Sequence, residues 1–427
     1  MRYSSKLSRR ELLVGSSTAL AGLSLLDSYL LSRPAKPLAK GIKTILLNGR
    51  ILDGMGGQIK RASIVIEDEK ITGITKSITP SSQDKVIDCS GMTIMPGMID
   101  MHVHPALPNI KGTAGYFSLQ FIKHARTMLD AGFTTIRCLG CPHNVDLDVK
   151  RAVREGLVIQ PRIFASGLGI GPTNTHLYRL NIGIEVNGVD GFRTAARELI
   201  KKKVDLLKIS ADAITSYATP TVAEMKAAID VFHLAGKKVA VHAGSPLGIK
   251  NAIKAGADTI EHGFRLVEEP RLANLMAEQG IYLVPTLFIH EYWDTDSDSR
   301  YSKEILDKVR AVQKIHPKSF QEALRAGVQI AMGSDEGGVP GSPVGEGAYE
   351  LELMVKYGMK EMDAIVSTNS NAAKALGAGD RLGSIKKGML ADLIVVDGDP
   401  IQDIKILKNK NLIKKIFSNG VLVKERS

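Results

Sequence analysis

The sequence predicts an α/β protein: a (β/α)8 TIM barrel carrying a discontinuous β-sandwich domain formed by its N- and C-terminal segments. Three observations predict it. After Thr93, eight short apolar runs alternate with longer segments of helical period. On either side, residues 41–92 and 381–427 read as short strands broken by turns. The first apolar run ends in His-x-His-Pro, where a doubly wound open sheet, the structural alternative, would carry a glycine-rich phosphate loop.

Residues 1–40 read as an export leader. Ser8-Arg9-Arg10-Glu11-Leu12-Leu13 precedes a soft apolar run from Val14 to Leu31, a twin-arginine-like pattern. Asp27 and several Ser/Thr residues argue against a permanent membrane span. Pro37-Leu38-Ala39 is a loose cleavage motif. This reading places the protein in the periplasm or outside the cell; without a working signal it is cytoplasmic.

Residues 41–92 form the first part of the sandwich, with strands expected at Lys43–Leu47, Ser63–Glu67, Ile71–Ile74 and Lys85–Asp88. Residues 93–380 form the barrel. Its strands are expected at Thr93–His102, Phe133–Leu139, Arg162–Gly167, Val204–Ser210, Lys238–His242, Asp258–His262, Ile281–Phe288 and Val328–Ser334. Their near-continuous apolar character is that of a parallel sheet buried on both faces. Helices are expected at Ser118–Ala131, Thr221–Ala235, Leu247–Ala255 and Glu268–Gln279, several ending at glycine. Residues 381–427 complete the sandwich with Arg381–Ile385, Leu393–Val396, Ile413–Phe417 and Val421–Lys424.

The net charge of +11 raises the question of nucleic acid. Residues 1–40 account for +5 and residues 405–427 for +6, so everything between is near neutral. With aromatics at 5%, a basic face with stacking groups is missing, and nucleic-acid binding is excluded. Three cysteines, Cys89, Cys138 and Cys141, are an odd number and do not make a disulfide framework. Cys138-Leu-Gly-Cys141 lacks the second pair that a zinc site needs.

Barrel active sites form at the C-terminal strand ends. Read there, the chain offers His102 and His104 after strand one, Lys208 on strand four, His242 on strand five, His262 on strand six and Asp335 after strand eight. Strand alternation puts His102 and His104 on one face, where two imidazoles can chelate one ion. It also turns Leu206, Lys208 and Ser210 inward. A buried lysine tends to lose its proton. The neutral amine can form a Schiff base with a carbonyl, or take up carbon dioxide and become an anionic carbamate whose two oxygens bridge two cations. Beside four histidines and an aspartate, the carbamate makes more chemical sense. His124 and His233 fall in helical segments, and His143, His176, His290 and His316 fall in loops. Of these, His143, His176 and His290 follow strands and are candidates for the rim of the mouth.

PGMIDMHVHP, Lys208, Val241-His242-Ala243, Ile260-Glu261-His262-Gly263 and Gly333-Ser334-Asp335 occur in the order found in the amidohydrolase superfamily. Together with Gly388-Met389-Leu390-Ala391-Asp392-Leu393, they make a chain that resembles that superfamily over nearly everything after residue 42. It looks most similar to imidazolonepropionase-like and Xaa-Pro dipeptidase (prolidase)-like members. The resemblance implies a binuclear centre of two divalent cations, usually Zn2+, bridged by a carboxylated Lys208. It assigns His102, His104, Lys208 and Asp335 to one ion and Lys208, His242 and His262 to the other, with Asp335 as general base. Two departures fall in the substrate pocket. His242-Ala243-Gly244 replaces a common His-Ala-His, and Thr173-Asn174-Thr175-His176 replaces a common Gly-Gly-His. Lys208 argues against a true imidazolonepropionase, since those generally lack the bridging lysine.

The expected activity is hydrolysis of a C–N bond in a small substrate, a dipeptide of the Xaa-Pro type or an N-acyl amino acid, by a hydroxide held between the metals. Arg137 and His176 are candidates for holding a substrate carboxylate, and Tyr217 for supporting the tetrahedral intermediate. Lactone, phosphoester or cyclic-amide hydrolysis on the same metals is the alternative. A non-catalytic binding barrel and a Schiff-base lyase on Lys208 are the readings from other classes. The partner is a small molecule, and self-association into a homo-oligomer is compatible with the sequence.

Overall fold

The computed structural model describes residues 42–107, 111–212, 219–292, 302–338 and 342–426. Strands from the two ends of the chain form a single eight-stranded sheet. Its order is Val421–Glu425, Ile413–Ser418, Leu393–Asp397, Met92–Pro96, Thr44–Leu52, Gln58–Glu67 and Lys70–Thr75, with Lys85–Asp88 also pairing with Thr44–Leu52. Leu46, Ile64, Ile66, Ile71 and Ile87 from the N-terminal side pack with Leu393, Val395 and Phe417 from the C-terminal side in one buried cluster. Arg381–Ile385 is not a strand. Gly383 stands at φ 75°, and a side chain there would meet the Asn369 carbonyl oxygen at 2.5 Å, so this chain turns instead of pairing.

The expected strand Thr93–His102 is two strands. Met92–Pro96 belongs to the end-domain sheet and Met98–Val103 is the first barrel strand. Gly97 lies between them, and a Cβ there would meet Thr134 Oγ1 at 2.1 Å, so the crossing passes only without a side chain. The barrel strands form two parallel sheets. Met98–Val103, Phe133–Cys138 and Arg162–Ala165 make one. Leu206–Ser210, Lys238–Ala243, Thr259–His262 and Tyr282–Val284 make the other, joined by Gly169–Gly171 and Gly183–Glu185.

Both seams follow from the chain itself. The expected third strand, Arg162–Gly167, breaks near Gly167, which stands at φ 62°. Its first half pairs with the second strand, while Gly169–Gly171 pairs with the fourth. The expected eighth strand, Val328–Ser334, forms no regular strand, but extended chain fills its place. Leu283 N–H donates to Gln329 O at 3.0 Å, Met101 N–H to Met332 O at 2.9 Å and Asp335 N–H to His102 O at 2.7 Å. Buried Asp100 stitches the same seam, accepting from His102 N–H at 3.0 Å, Ser334 N–H at 3.1 Å and Ser334 Oγ at 2.6 Å.

The helices begin and end where their residues dictate. Thr221 and Glu224 form a reciprocal capping box at the start of Val222–Leu234. Ser245 caps Pro246–Ala255, which closes at Gly256 with φ 92°. His316, expected in a loop, lies inside the helix Lys303–Arg325, one residue before Pro317.

Candidate active site

The site is built from strand ends. His102 is the penultimate residue of the first barrel strand, and His104 follows one residue beyond it. Their rings lie 5.2 Å apart, and both face Asp335: His102 Nε2 is 3.6 Å and His104 Nε2 3.4 Å from Asp335 Oδ1. The His262 ring is 4.9 Å from that of His102 and 4.5 Å from that of His242. Ligand atoms of His102, His262 and Asp335 all lie within 4.8 Å of one another. Lys208, 1% exposed, sits among these groups, and its charge acts on His102, His104, His242, His262 and Asp335.

Each of three imidazoles is held at Nδ1 by another group of the protein. His102 Nδ1 is 2.9 Å from Glu261 Oε2, His104 Nδ1 is 3.2 Å from Gly140 O and His262 Nδ1 is 2.7 Å from Thr286 Oγ1. That leaves Nε2 of all three to serve as the ligand atom, the arrangement by which neighbouring groups fix a ligand's tautomer. Burial pushes their proton affinity down. His104 falls to about 3, mainly from burial and then from Lys208, and His102, His242 and His262 fall well below 6.5 for the same first reason. All are therefore neutral, the form that ligates metal. Burial also drives the Asp335 carboxyl up and the Lys208 ammonium down, each toward its neutral form.

The donor set fits a divalent cation. Asp335 Oδ1 and His242 Nε2 are buried without a hydrogen-bond partner, a costly state for polar atoms. Separations of 3.4 and 3.6 Å from histidine nitrogen to Asp335 Oδ1 are long for hydrogen bonds. They are close to the spacing of about 3.4 Å that two ligands take around one tetrahedral ion at about 2.1 Å. Backbone strain gathers here as well: His262 stands at φ 73°, Thr286 at 55° and Asp335 at 60°.

His176 joins the group. Its ring is 4.4 Å from that of His242, its Nδ1 is 3.3 Å from Ser210 Oγ, and burial holds it neutral at about 3. Arg137 does not line the mouth, and its expected role as a carboxylate holder is corrected. Its guanidinium is 1% exposed inside the barrel, bound to Met101 O, to Thr259 Oγ1 at 3.1 Å and to Glu261 Oε1 at 2.8 Å. Buried there and paired with Glu261, it serves the barrel interior. Tyr217 lies outside the described residues. His143 is exposed, its ring centroid 5.8 Å from that of Phe117.

Glu261, Asp100 and Asp212 are buried acids beside the predicted histidines and Asp335 that the strand-end reading missed. Glu261 links Arg137 to His102. Asp212 accepts from Gly244 N–H at 2.8 Å and Ser245 N–H at 2.9 Å and lies 3.8 Å from His242 Nε2. The signal for Glu261 was its alternation with Thr259. Both turn into the barrel, while the left-handed backbone at His262 breaks the alternation and lets the next side chain face the site as well.

Fold and site together define an α/β barrel with a cluster at the C-terminal strand ends that could hold a metal ion. Residues 93–423 match the model of the amidohydrolase family, and the chain belongs to that family. It is similar to ochratoxinase of Aspergillus niger, 26% identical over 428 residues, covering 89% of this chain and 86% of the relative. Among solved structures, a Xaa-Pro dipeptidase with methionine bound in its active site superposes with a TM-score of 0.82 at 32% identity, covering 90% of this chain and 100% of that one. A prolidase complexed with N-methylphosphonate-L-proline superposes with a TM-score of 0.82 at 29% identity over the same shares. The protein is thus an enzyme that hydrolyses C–N bonds of the amide or peptide kind in a small-molecule substrate. The family generally uses divalent metal.

Proposed function

We propose that the enzyme hydrolyses the amide bond of a dipeptide of the Xaa-Pro type or of an N-acyl amino acid, on two divalent cations, zinc by the chemistry of the donor set. The observation that carries this is the set of imidazoles held at Nδ1 around the unpartnered oxygen of Asp335, with Lys208 buried beside them. The dipeptidase, prolidase and ochratoxinase likenesses support it.

His102, His104, Lys208 and Asp335 would hold one cation, and Lys208, His242 and His262 the other. Burial makes the Lys208 amine neutral more readily, so its nitrogen can bond to the carbon of carbon dioxide, release one proton and become an anionic carbamate that serves both ions. When bound, the cations polarise the scissile carbonyl and bring the pKa of a water from about 16 to roughly 7. Asp335 accepts the proton of the attacking water and delivers it to the leaving nitrogen; such positioned transfer contributes roughly 100- to 10,000-fold. His176 offers a neutral N–H to the substrate carboxylate from beside His242.

The test is a panel of Xaa-Pro dipeptides, N-acyl amino acids and lactones given to protein purified with its metal. Turnover of the amides above the lactones is expected. Lactone hydrolysis with no amide cleaved would overturn the proposal. For the leader, which lies outside the described residues, a reporter fused after residue 40 should be exported, and a wholly cytosolic reporter would refute that reading.

A further inference from the structure

The loop after the sixth barrel strand is held from outside the barrel by one helix face. His316 and Ser319, three residues apart on Lys303–Arg325 and each 1% exposed, are polar groups on an otherwise packed surface. His316 Nε2 lies 3.1 Å from the His262 carbonyl oxygen. Ser319 Oγ donates to Phe264 O at 2.8 Å and accepts from Val267 N–H at 3.1 Å. Three bonds therefore clamp a six-residue turn that carries two left-handed residues in succession, His262 at φ 73° and Gly263 at 61°.

The rings around this turn are locked together. Phe264 stacks on His262 at 4.7 Å and 21° and meets His316 edge-on at 5.0 Å. A Cβ at Gly244 would strike Phe264 at 2.6 Å, so the residue that stands where relatives often carry histidine makes room for this ring. A carbonyl can only accept, so His316 carries its proton on Nε2. Its Nδ1 then accepts from His290 Nδ1 at 2.9 Å. A cavity of about 220 Å³ lined by His290, Gln313, His316 and Pro317 lies beside the pair.

We propose that His316, assisted by Ser319, is a positioning residue. By binding the His262 carbonyl it holds that residue in its left-handed conformation and aims its Nε2 at the cation site. This rests on the reading of His262 as a metal ligand. Helical residues on the outer layer would then set the geometry of a ligand they do not touch through its side chain.

The experiment uses the full chain loaded with cobalt(II), reading the visible d–d spectrum and the affinity against a competing chelator. His316→Leu, with melting temperature and circular dichroism showing it folded, should bind one cobalt ion about 10- to 100-fold more weakly and shift the band. His316→Gln, whose amide N–H reaches the same carbonyl, should restore both. A folded His316→Leu with wild-type affinity and spectrum would overturn the inference, as would a His316→Gln no better than the leucine variant. Should the leucine variant not fold, His316→Asn, polar but too short for the carbonyl, takes its place: weaker cobalt binding than in His316→Gln supports the role, and equal binding refutes it. His262→Ala is the control. Loss of one ion upholds His262 as a ligand, so a silent His316 then fails alone. Retention of both ions would defeat the ligand reading and the inference with it.

Discussion

Glu261 is the buried counter-charge to Arg137. It is 0% exposed, accepts from Arg137 and Thr259 and faces the Nδ1 of His102. Removing one member of a buried ion pair leaves the other charged and dry. Arg137→Ala should therefore lower unfolding free energy by about 3–5 kcal/mol, measured by denaturant titration. An unchanged stability with a raised KM for carboxylate-bearing substrates would return Arg137 to the pocket. The six proposed ligands were legible because each is the ionisable group at the end of an apolar strand. Arg137 was misread because it sits on such a strand too, and nothing in one strand's pattern tells the barrel interior from its mouth. Glu261 supplies the counter-charge that makes the interior tenable, and it comes from four strands away.

At the scale of elements, the breaks matter more than the strands. Gly97 ends one sheet and starts another against Thr134. Gly97→Ala should lose about 1–3 kcal/mol through overpacking, read as a fall in melting temperature. A neutral substitution would mean that the two sheets can shift at this joint. The alternation of strands and helices was plain in the chain, since the apolar runs and the caps are local signals. The splitting of the first and third strands was not, because apolar residues continue across Gly97 and into Gly167 and only the partner strand changes. His316 was hidden for a similar reason. A residue before proline is biased away from helix, yet here the hydrogen bond to the sixth-strand loop and burial keep it helical.

At the scale of the molecule, the buried titratable groups set two opposed pH limbs for the metal-free protein. Burial lowers eight histidines: His104 and His176 to about 3, His316 to about 4, His102, His242, His262 and His290 well below 6.5, and His124 below 6.5. Unfolded, they bind protons below 6.5, so their stability is present above that pH and is lost as pH falls toward 3. Burial raises Asp100 to about 6, Asp146 to about 7, Glu336, Glu350 and Asp335 to about 8, and Asp212 above its ordinary range. These contribute stability below the unfolded carboxylate range and lose it as pH rises through those values. Between the carboxylate range and 6.5 the histidines outnumber the carboxyls, so stability should peak near pH 6.5, about the unfolded imidazole value. Denaturant titrations of chelated protein across pH 5 to 8 measure this, and a steady rise to pH 8 would contradict it. Among the described residues no helix is long and apolar enough to cross a membrane.

The claim on which the mechanism turns is that Lys208 joins two cations into one centre. Metal content per folded chain, measured for the wild type and for Lys208→Ala purified alike, tests it most directly. Two ions in the wild type, a marked loss in the variant and partial recovery with a short carboxylic acid are expected. A folded Lys208→Ala that keeps both ions, or a wild type as active after exhaustive chelation as before, would contradict it.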